Sequence, residues 1–502
     1  MIVRKINHLL YEVVLDTTQL LEQFQFRTLA KRYRYWDRKY EFFTTTASFY
    51  DSVDYNKIII KVGFLPYIYK IYKDILTDKS KELILSEVTR TPLPSFENLT
   101  NEQNSQLSIL TSYDRGVNQS FTGSGKTEVI ATLANYCLHH NEKCIIIAPT
   151  KRACDEIRDR LLIRYSIDCS SYYNPDSYIN LFNSRGFFES EKCQIEDPFW
   201  KDVKWCICDE VEKIFSNNVE DCFYEMENCS RWYGFSATAD KLEGKPITVE
   251  IGSEVIGRNL RLVKYFGFTT VYNKPSFKYI EIIHVDVKRF WILQQKDKST
   301  INDGGGLAEY YDNSLGSGYI PYVDTYFDEE LALTIKRIAI KEGSMFIPLS
   351  RREILTDWLQ NWWKDTEVIF INGSGYQLWK DGEIKMILSL REVKEMVLSK
   401  RIKYVFGTVS AFNSLDLVGM QNVMLLAYSS ASMTLQAIGR VARGNLLRIF
   451  LPYCSKDETV IRRDYERRLK LILNYYNECK ISRIYKTDSD YDVVRDETKY
   501  HN

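Results

Sequence analysis

Residues 120–130 read SFTGSGKTEVI, and no other stretch constrains the fold as much. Gly123, Gly125, Lys126 and Thr127 match the GxGK[ST] end of a phosphate-binding loop, with Thr122 and Ser124 completing the cradle. Small residues let backbone N–H groups curl round phosphate oxygens at a helix N-terminus, where the dipole favours an anion. Such a loop joins a strand to a helix, and KTEVIATLANYCLHH (126–140) has the apolar spacing of that helix. Lys126 then reaches the β and γ phosphates of a nucleoside triphosphate, and the Thr127 hydroxyl ligates Mg²⁺. Ser120 stands where the eight-residue pattern usually begins with Gly.

The surrounding chain repeats the strand–helix rhythm. From 96 to 260, the apolar strands KCIIIAP (143–149) and VKWCICDE (203–210) alternate with helical patterns, as in a parallel α/β sheet. A second block, 326–455, repeats this with GSMFIPLS, TEVIFING, YVFGTVS and NVMLLAYSS as strands. Between them 261–325, with its Gly-interrupted run INDGGGLAEYYDNSLGSGYI, reads as a linker or insertion. Residues 456–502 read as a helical tail. Residues 1–95, rich in Tyr, Phe, Lys and Arg, read as a small α+β domain with a strand at IIIKVGF (58–64) before a helix.

Bulk composition narrows the partners. The 502 residues suggest roughly three domains. The 67 basic and 67 acidic side chains cancel, so any polyanion site has to be a local patch. The 11 Cys form no CxxC pair, and Cys206 and Cys208 alternate with apolar residues on one strand, which points to buried reduced thiols rather than zinc ligands. No signal peptide and no run of about eighteen apolar residues is found, so a cytoplasmic protein without a membrane partner is expected.

Downstream of the loop, CICDEVE (206–212) supplies the carboxylates that a bound Mg²⁺-nucleotide needs at a neighbouring strand end. Asp209 is placed to hold the metal through its water shell, and Glu210 to take a proton from the attacking water. In GFSATAD (234–240), Ser236 and Thr238 offer hydroxyls that can link the metal site to the other domain, where alone the stretch would be an ordinary Ser/Thr turn. LQAIGRVARG (435–444) puts Arg440 and Arg443 three residues apart on one helical face. With a nucleotide on the first block, they read as arginine fingers supplied in cis to the γ-phosphate. The bland reading is a solvated helix face.

Together these motifs resemble superfamily 2 helicases over residues 96–455, in the family's order. The resemblance implies two tandem RecA-like parallel-sheet motor domains, 96–260 and 326–455, using ATP and Mg²⁺. It implies an adenine-reading role for Gln103 in LTNEQ and a grip on the nucleic-acid backbone for Pro149, Thr150 and Arg152 in APTKRA, with PDSYINL (175–181) a further similar segment. GTVSAFNSLD (407–416) is similar to the motif in which Thr408 touches backbone and Asp416 the nucleotide side. Gln436, Gly439, Arg440 and Arg443 match the last helicase motif. The acidic box reads DEVE, not DEAD or DEAH, which favours the RNA-specific branches less.

The stretch RTLAKRYRYWDRKYEFF (27–43) interleaves Arg32, Arg34 and Arg38 with aromatics that include Trp36. Cations neutralise phosphates, and exposed aromatics stack on bases or wedge at a junction. With GFLPYIYKIYKDI (63–75), the stretch resembles the N-terminal domain of UvsW-type phage branch-migration helicases. That resemblance implies a monomeric DNA helicase or translocase acting on forked and Holliday-type junctions in phage replication, recombination and repair within the host cytoplasm. An RNA helicase in transcript release, and a DNA-binding scaffold with weak ATPase, are the alternatives.

Overall fold

KCIIIA and VKWCICD are apolar at almost every position, as strands covered on both faces must be. In the computed structural model they are the neighbouring strands Lys143–Ala148 and Val203–Asp209 of a six-stranded sheet among the described residues. Its spatial order is Thr270–Asn273, Arg115–Ser120, Arg231–Ser236, Val203–Asp209, Lys143–Ala148 and Ile179–Asn183, with every pairing parallel. The helices Lys126–His139 and Lys151–Tyr165 lay their apolar residues on one face, against Ile146, Ile207 and Trp205. Ile145, Ile147, Cys206 and Cys208 pack on the other face with Phe223, Tyr265 and Phe266. The two thiols are therefore core residues.

The structure describes the chain except for residues 17–24, 35–38, 49, 55, 122, 170–173, 175, 185–186, 188–197, 215–222, 224–225, 238–240, 243–244, 247, 252–253, 258–259, 268–269, 274–278, 287–291, 296–318, 323–328, 350–351, 409–416, 418, 427–430, 442–445, 454–459, 477–480, 488–492 and 497–502. Two compact units result, Met1–Asn273 and Lys274–Asn502.

The second unit has its own parallel core. Val368–Asn372, Tyr404–Gly407, Met345–Pro348, Asn422–Met424, Leu446–Tyr453, Tyr279–Asp286 and Ile481–Thr487 run parallel in that spatial order. The hairpin Gly375–Lys380/Glu383–Leu388 adds antiparallel strands at one edge, and Val493–Asp496 does so at the other. Two expectations change here. Residues 261–325 are not merely a linker: Leu260–Phe266 and Thr270–Asn273 belong to the first unit, and Tyr279–Asp286 lies inside the second sheet. Residues 456–502 are not wholly helical, since Ile481–Thr487 and Val493–Asp496 follow the helix Val460–Tyr475. Tyr279–Asp286 and Ile481–Thr487 take partners distant in sequence, which leaves no local sign of their place, whereas Val493–Asp496 pairs with the neighbouring Ile481–Thr487.

The N-terminal residues form an antiparallel sheet in the order Ile2–Lys5, Leu10–Val14, Lys57–Lys61, Tyr50–Asp54. The expected strand ends at Lys61, and a short 3-10 turn leads into the helix Leu65–Tyr72, whose early Pro66 suits a first turn. This part is not separate from the first α/β sheet. Val263 packs among the N-terminal core residues, and Leu9 packs into the core beneath the parallel sheet. Gly63 lies so close to the helix Leu260–Phe266 that a Cβ there would meet the Val263 carbonyl oxygen at 1.8 Å. A second antiparallel sheet joins Gln25–Arg34 and Lys39–Ser48 to Thr248–Ile251 and Glu254–Gly257, again spanning the expected boundary.

Candidate active site

Parallel strands in register bring their carboxyl ends to one edge, where α/β sheets bind ligands. Gln119 pairs with Ser236, and Phe235 pairs with Asp209, so the phosphate loop, the acidic turn and the Ser236 strand end share that edge. Lys143–Ala148, next to Val203–Asp209, brings Pro149, Thr150 and Arg152 there as well.

The loop has the conformation its glycines predict. Gly123 (φ 97°) and Gly125 (φ 83°) occupy the left-handed region, and Gly125 opens the helix Lys126–His139 with no side-chain cap on its N–H groups. A Cβ on Gly125 would also meet Gln103 Nε2 at 2.3 Å. Lys126 Nζ donates to the carbonyl oxygens of Ser120 (3.1 Å) and Phe121 (3.3 Å), which holds the ammonium inside the loop. Thr127 and Ser124 are half-buried alongside, while Thr122 lies outside the described residues.

Gln103 is committed at both ends of its carboxamide. Its oxygen accepts from the Thr100 N–H (3.0 Å), closing a capping box on the helix Asn101–Thr111, and Nε2 donates to the Ser124 carbonyl (3.0 Å). The side chain expected near adenine thus rests on the phosphate loop itself.

The acidic turn is electrostatically loaded. Burial and the Glu210 charge push the Asp209 carboxyl up to about 6, against the pull of Lys126 and Lys213. Glu210 is buried, sits 3.5 Å from Lys213 Nζ, and holds a left-handed backbone (φ 47°) that is costly for a side chain of its kind. Glu212, the last residue of the DEVE box, has no role of its own assigned by the sequence. Burial and Glu210 raise its carboxyl to about 7, and the Ser236 hydroxyl donates to it. Ser236 therefore couples its strand to the acidic box; Thr238 lies outside the described residues. The Asp209 carboxylate beside a second acid, facing the loop that carries the Thr127 hydroxyl, supplies the oxygens that suit a hydrated Mg²⁺, whose charge would relieve the repulsion between the two acids.

Thr150 caps the helix Lys151–Tyr165 by accepting from the Ala153 N–H (3.2 Å), and Pro149 accepts from Ser184 Oγ (3.3 Å). Arg152 is half-buried in the first turn. In PDSYINL, the Asn180 carboxamide is used locally, accepting from the Asn174 N–H and donating to the Asn174 and Ser177 carbonyls.

Within the second unit, Thr408 is buried at the end of Tyr404–Gly407, its N–H bonded to the Ile371 carbonyl (2.9 Å). Gln436 and Arg440 lie on the helix Ala431–Val441 and are 2% and 8% exposed, which excludes a solvated face for this pair. The Arg440 carbonyl accepts from the Leu417 N–H (2.9 Å), tying the helix to the chain that follows the Thr408 motif. Asp416 and Arg443 lie outside the described residues, as do Trp36 and Arg38. Arg32 and Arg34 fall on Gln25–Arg34, in register with Glu41 and Lys39 of the opposite strand.

No helix among the described residues is long and apolar enough to cross a membrane. No curated protein matches the chain. Among solved structures, phage T4 UvsW is similar at 14% identity over 97% of this chain and 99% of that one, with a TM-score of 0.40. S. cerevisiae Dbp5 bound to RNA and ADP BeF3 is similar at 12% identity over 79% of this chain and 91% of that one, TM-score 0.48. The DUF1998 helicase MrfA bound to DNA and AMPPNP is similar at 15% identity over 79% and 55%, TM-score 0.47. Residues 100–244 match the DEAD/DEAH box helicase family, a span that holds Gln103, the phosphate loop, the acidic turn and Ser236. The chain carries a superfamily 2 DEAD/DEAH box helicase domain, and with it the ATP hydrolase activity of that family.

Proposed function

We propose that this chain couples ATP hydrolysis to unwinding or branch migration of forked and Holliday-type DNA junctions, acting as a monomer in phage replication, recombination and repair. The observation that carries the motor reading is the meeting of Lys126, Asp209, Glu210 and Ser236 at the carboxyl edge of one parallel sheet. The preference for branched DNA is supported by the basic, aromatic stretch 27–43, whose strands Gln25–Arg34 and Lys39–Ser48 flank the residues 35–38 that contain Trp36 and Arg38.

In this reading Lys126 and the loop N–H groups bind the β and γ phosphates, Gln103 reads adenine and Asp416 serves the nucleotide side. Thr127 and Asp209 would hold Mg²⁺, which when bound supplies charge stabilisation to the transferring phosphoryl group. The Glu210 carboxylate accepts the proton of the water whose oxygen attacks the γ-phosphorus, as the bond to the departing ADP breaks. Gln436, Arg440 and Arg443 stabilise the charge that develops on the γ-phosphoryl oxygens. Pro149, Thr150, Arg152 and Thr408 follow the nucleic-acid backbone, and Arg32, Arg34, Trp36 and Arg38 meet the branch.

The deciding assay measures ATPase and strand displacement side by side on forked DNA, four-way junctions, plain duplex and RNA, for wild type and Lys126→Ala. Stimulation greatest with junctions, and abolished in Lys126→Ala, supports the proposal. Preferential stimulation by RNA would replace it with an RNA helicase, and ATPase intact in Lys126→Ala would remove the phosphate-loop assignment.

A further inference from the structure

The position where this chain departs from the usual phosphate-loop pattern is not idle. Ser120 is buried (2% exposed), and its hydroxyl lies 3.2 Å from Gln106 Oε1 and against Asn118 Oδ1. Asn118, also 2% exposed, donates from Nδ2 to the same Gln106 oxygen at 3.4 Å. Gln106 is 8% exposed and sits three residues after Gln103 on the helix Asn101–Thr111, so the two carboxamides leave the helix from one side. Gln103 takes hold of the far end of the loop at Ser124, and Gln106 takes hold of its entrance at Ser120. The Ser120 carbonyl in turn accepts from Lys126 Nζ, so the buried network reaches the phosphate-binding lysine through a single residue.

We propose that Gln106, with Asn118 and Ser120, is a second clamp that positions the phosphate loop for ATP, and that Ser120 takes the place of the usual Gly because its hydroxyl completes this clamp. The inference rests on the phosphate-loop reading of residues 120–127. Gln106 is a positioning residue: it acts through the entrance of the loop and the lysine, not on the nucleotide. A buried hydroxyl and amide share one acceptor; removing it leaves the Asn118 amide without compensation and leaves the Ser120 hydroxyl only Asn118 Oδ1, so the loop entrance loses its bond to the helix and is free to shift. A loop that must be drawn back on binding weakens its hold on ATP in the ground state and the transition state alike, which raises KM more than it lowers kcat.

The test uses the full chain with saturating nucleic acid, in Gln106→Leu, Ser120→Ala and the double variant, measuring KM and kcat for ATP and the Kd of a fluorescent ATP analogue. Each single variant is expected to raise KM and Kd by about fivefold to tenfold, and the double by no more than about the worse single, since both remove one interaction. A purely structural role would lower the melting temperature and leave KM where it was. The clamp is overturned by a KM within about twofold of wild type in the single variants, or by effects that multiply in the double. If Gln106→Leu does not fold, Ser120→Ala carries the KM test, because it only shortens a small side chain. Lys126→Ala in the same assay keeps the two ideas apart: turnover surviving there removes the phosphate-loop reading, whereas turnover lost there beside an unchanged KM in the clamp variants removes the clamp.

Discussion

Arg115 donates from Nη2 to the backbone oxygen of His8 at 2.8 Å, and from Nη1 to that of Tyr265 at 2.9 Å, with its guanidinium over the Trp232 ring. The first residue of the strand that ends in the phosphate loop is thereby bonded to the N-terminal sheet and to the helix Leu260–Phe266. Burial pushes the Arg115 pKa down, so the carbonyl acceptors are what make its position tenable. Arg115→Met should lower stability by about 2–4 kcal/mol, because the His8 and Tyr265 oxygens are left buried without donors. Urea unfolding of the full chain checks this, with a lower midpoint and an unchanged slope expected. Gly63→Ala should be as damaging, since its Cβ has no room beside the Val263 oxygen. By the same packing, a chain lacking residues 1–95 should fail to give a soluble ATPase; recovery of a folded, active 96–502 fragment would contradict the shared core.

Glu210 combines a proposed chemical role with backbone strain, and two substitutions separate them. Glu210→Gln keeps the shape and the left-handed backbone but removes the base, so turnover should fall by about 10²–10⁴-fold while ATP and nucleic acid still bind. Glu210→Gly should lose turnover as well, yet be more stable than Glu210→Gln by about 1 kcal/mol, because glycine adopts φ 47° without penalty. Single-turnover hydrolysis and thermal melts of the two variants settle both points. Equal melting temperatures would show that the turn is not strained.

What could be read from the sequence followed the range of the interactions. The loop 123–127, the helix behind it, and the strands around Ile145–Ile147 and Cys206–Cys208 announce themselves through local spacing and unbroken apolar runs. Tyr279–Asp286 carries no comparable signal of its place, because its partners Leu446–Tyr453 and Ile481–Thr487 lie far along the chain. Likewise no local pattern marks Arg115 for His8, or Gly63 for Val263. At the site, Lys126, Asp209 and Glu210 are legible as residue types at fixed spacing. The Ser236 hydroxyl on Glu212 and the Gln106 carboxamide on Ser120 are not, since any buried Ser or Gln needs a partner and only the fold selects which.

Arg440 tests whether the second unit contributes to chemistry. A buried guanidinium at 8% exposure, four residues from the buried Gln436, is not the solvated charge that a surface helix carries. As a finger on charge developing at the γ-phosphate, it should be needed in the transition state more than in binding. Arg440→Ala is expected to lower kcat by about 10²-fold or more with a much smaller change in ATP affinity. Steady-state ATPase with saturating nucleic acid, beside an ATP-analogue titration, distinguishes this from a packing defect, which would reduce the folded fraction and leave the kcat of the folded protein intact. A pure rise in KM would assign Arg440 to ground-state binding instead.

The basic stretch decides between a generic motor and one that handles branches. Arg32 and Arg34 stand on Gln25–Arg34, paired in register with Glu41 and Lys39 through backbone bonds, so alanine at these positions is expected to leave the pairing in place. If Arg32, Arg34 and Arg38 meet phosphates, changing all three to Ala should reduce the slope of log binding constant against log salt by about 0.9 for each duplex-arm phosphate that is no longer neutralised. Trp36→Ala should act differently: stacking carries no counterion release, so junction binding should weaken by about tenfold with the salt slope unchanged. Both variants should keep ATPase stimulated by single strands, because the phosphate loop and the acidic turn lie on other elements of the fold. Junction binding measured from low to moderate salt for wild type and the two variants gives the answer. A triple variant whose slope and junction unwinding match wild type would remove 27–43 from the DNA path and leave the motor without an assigned branch reader.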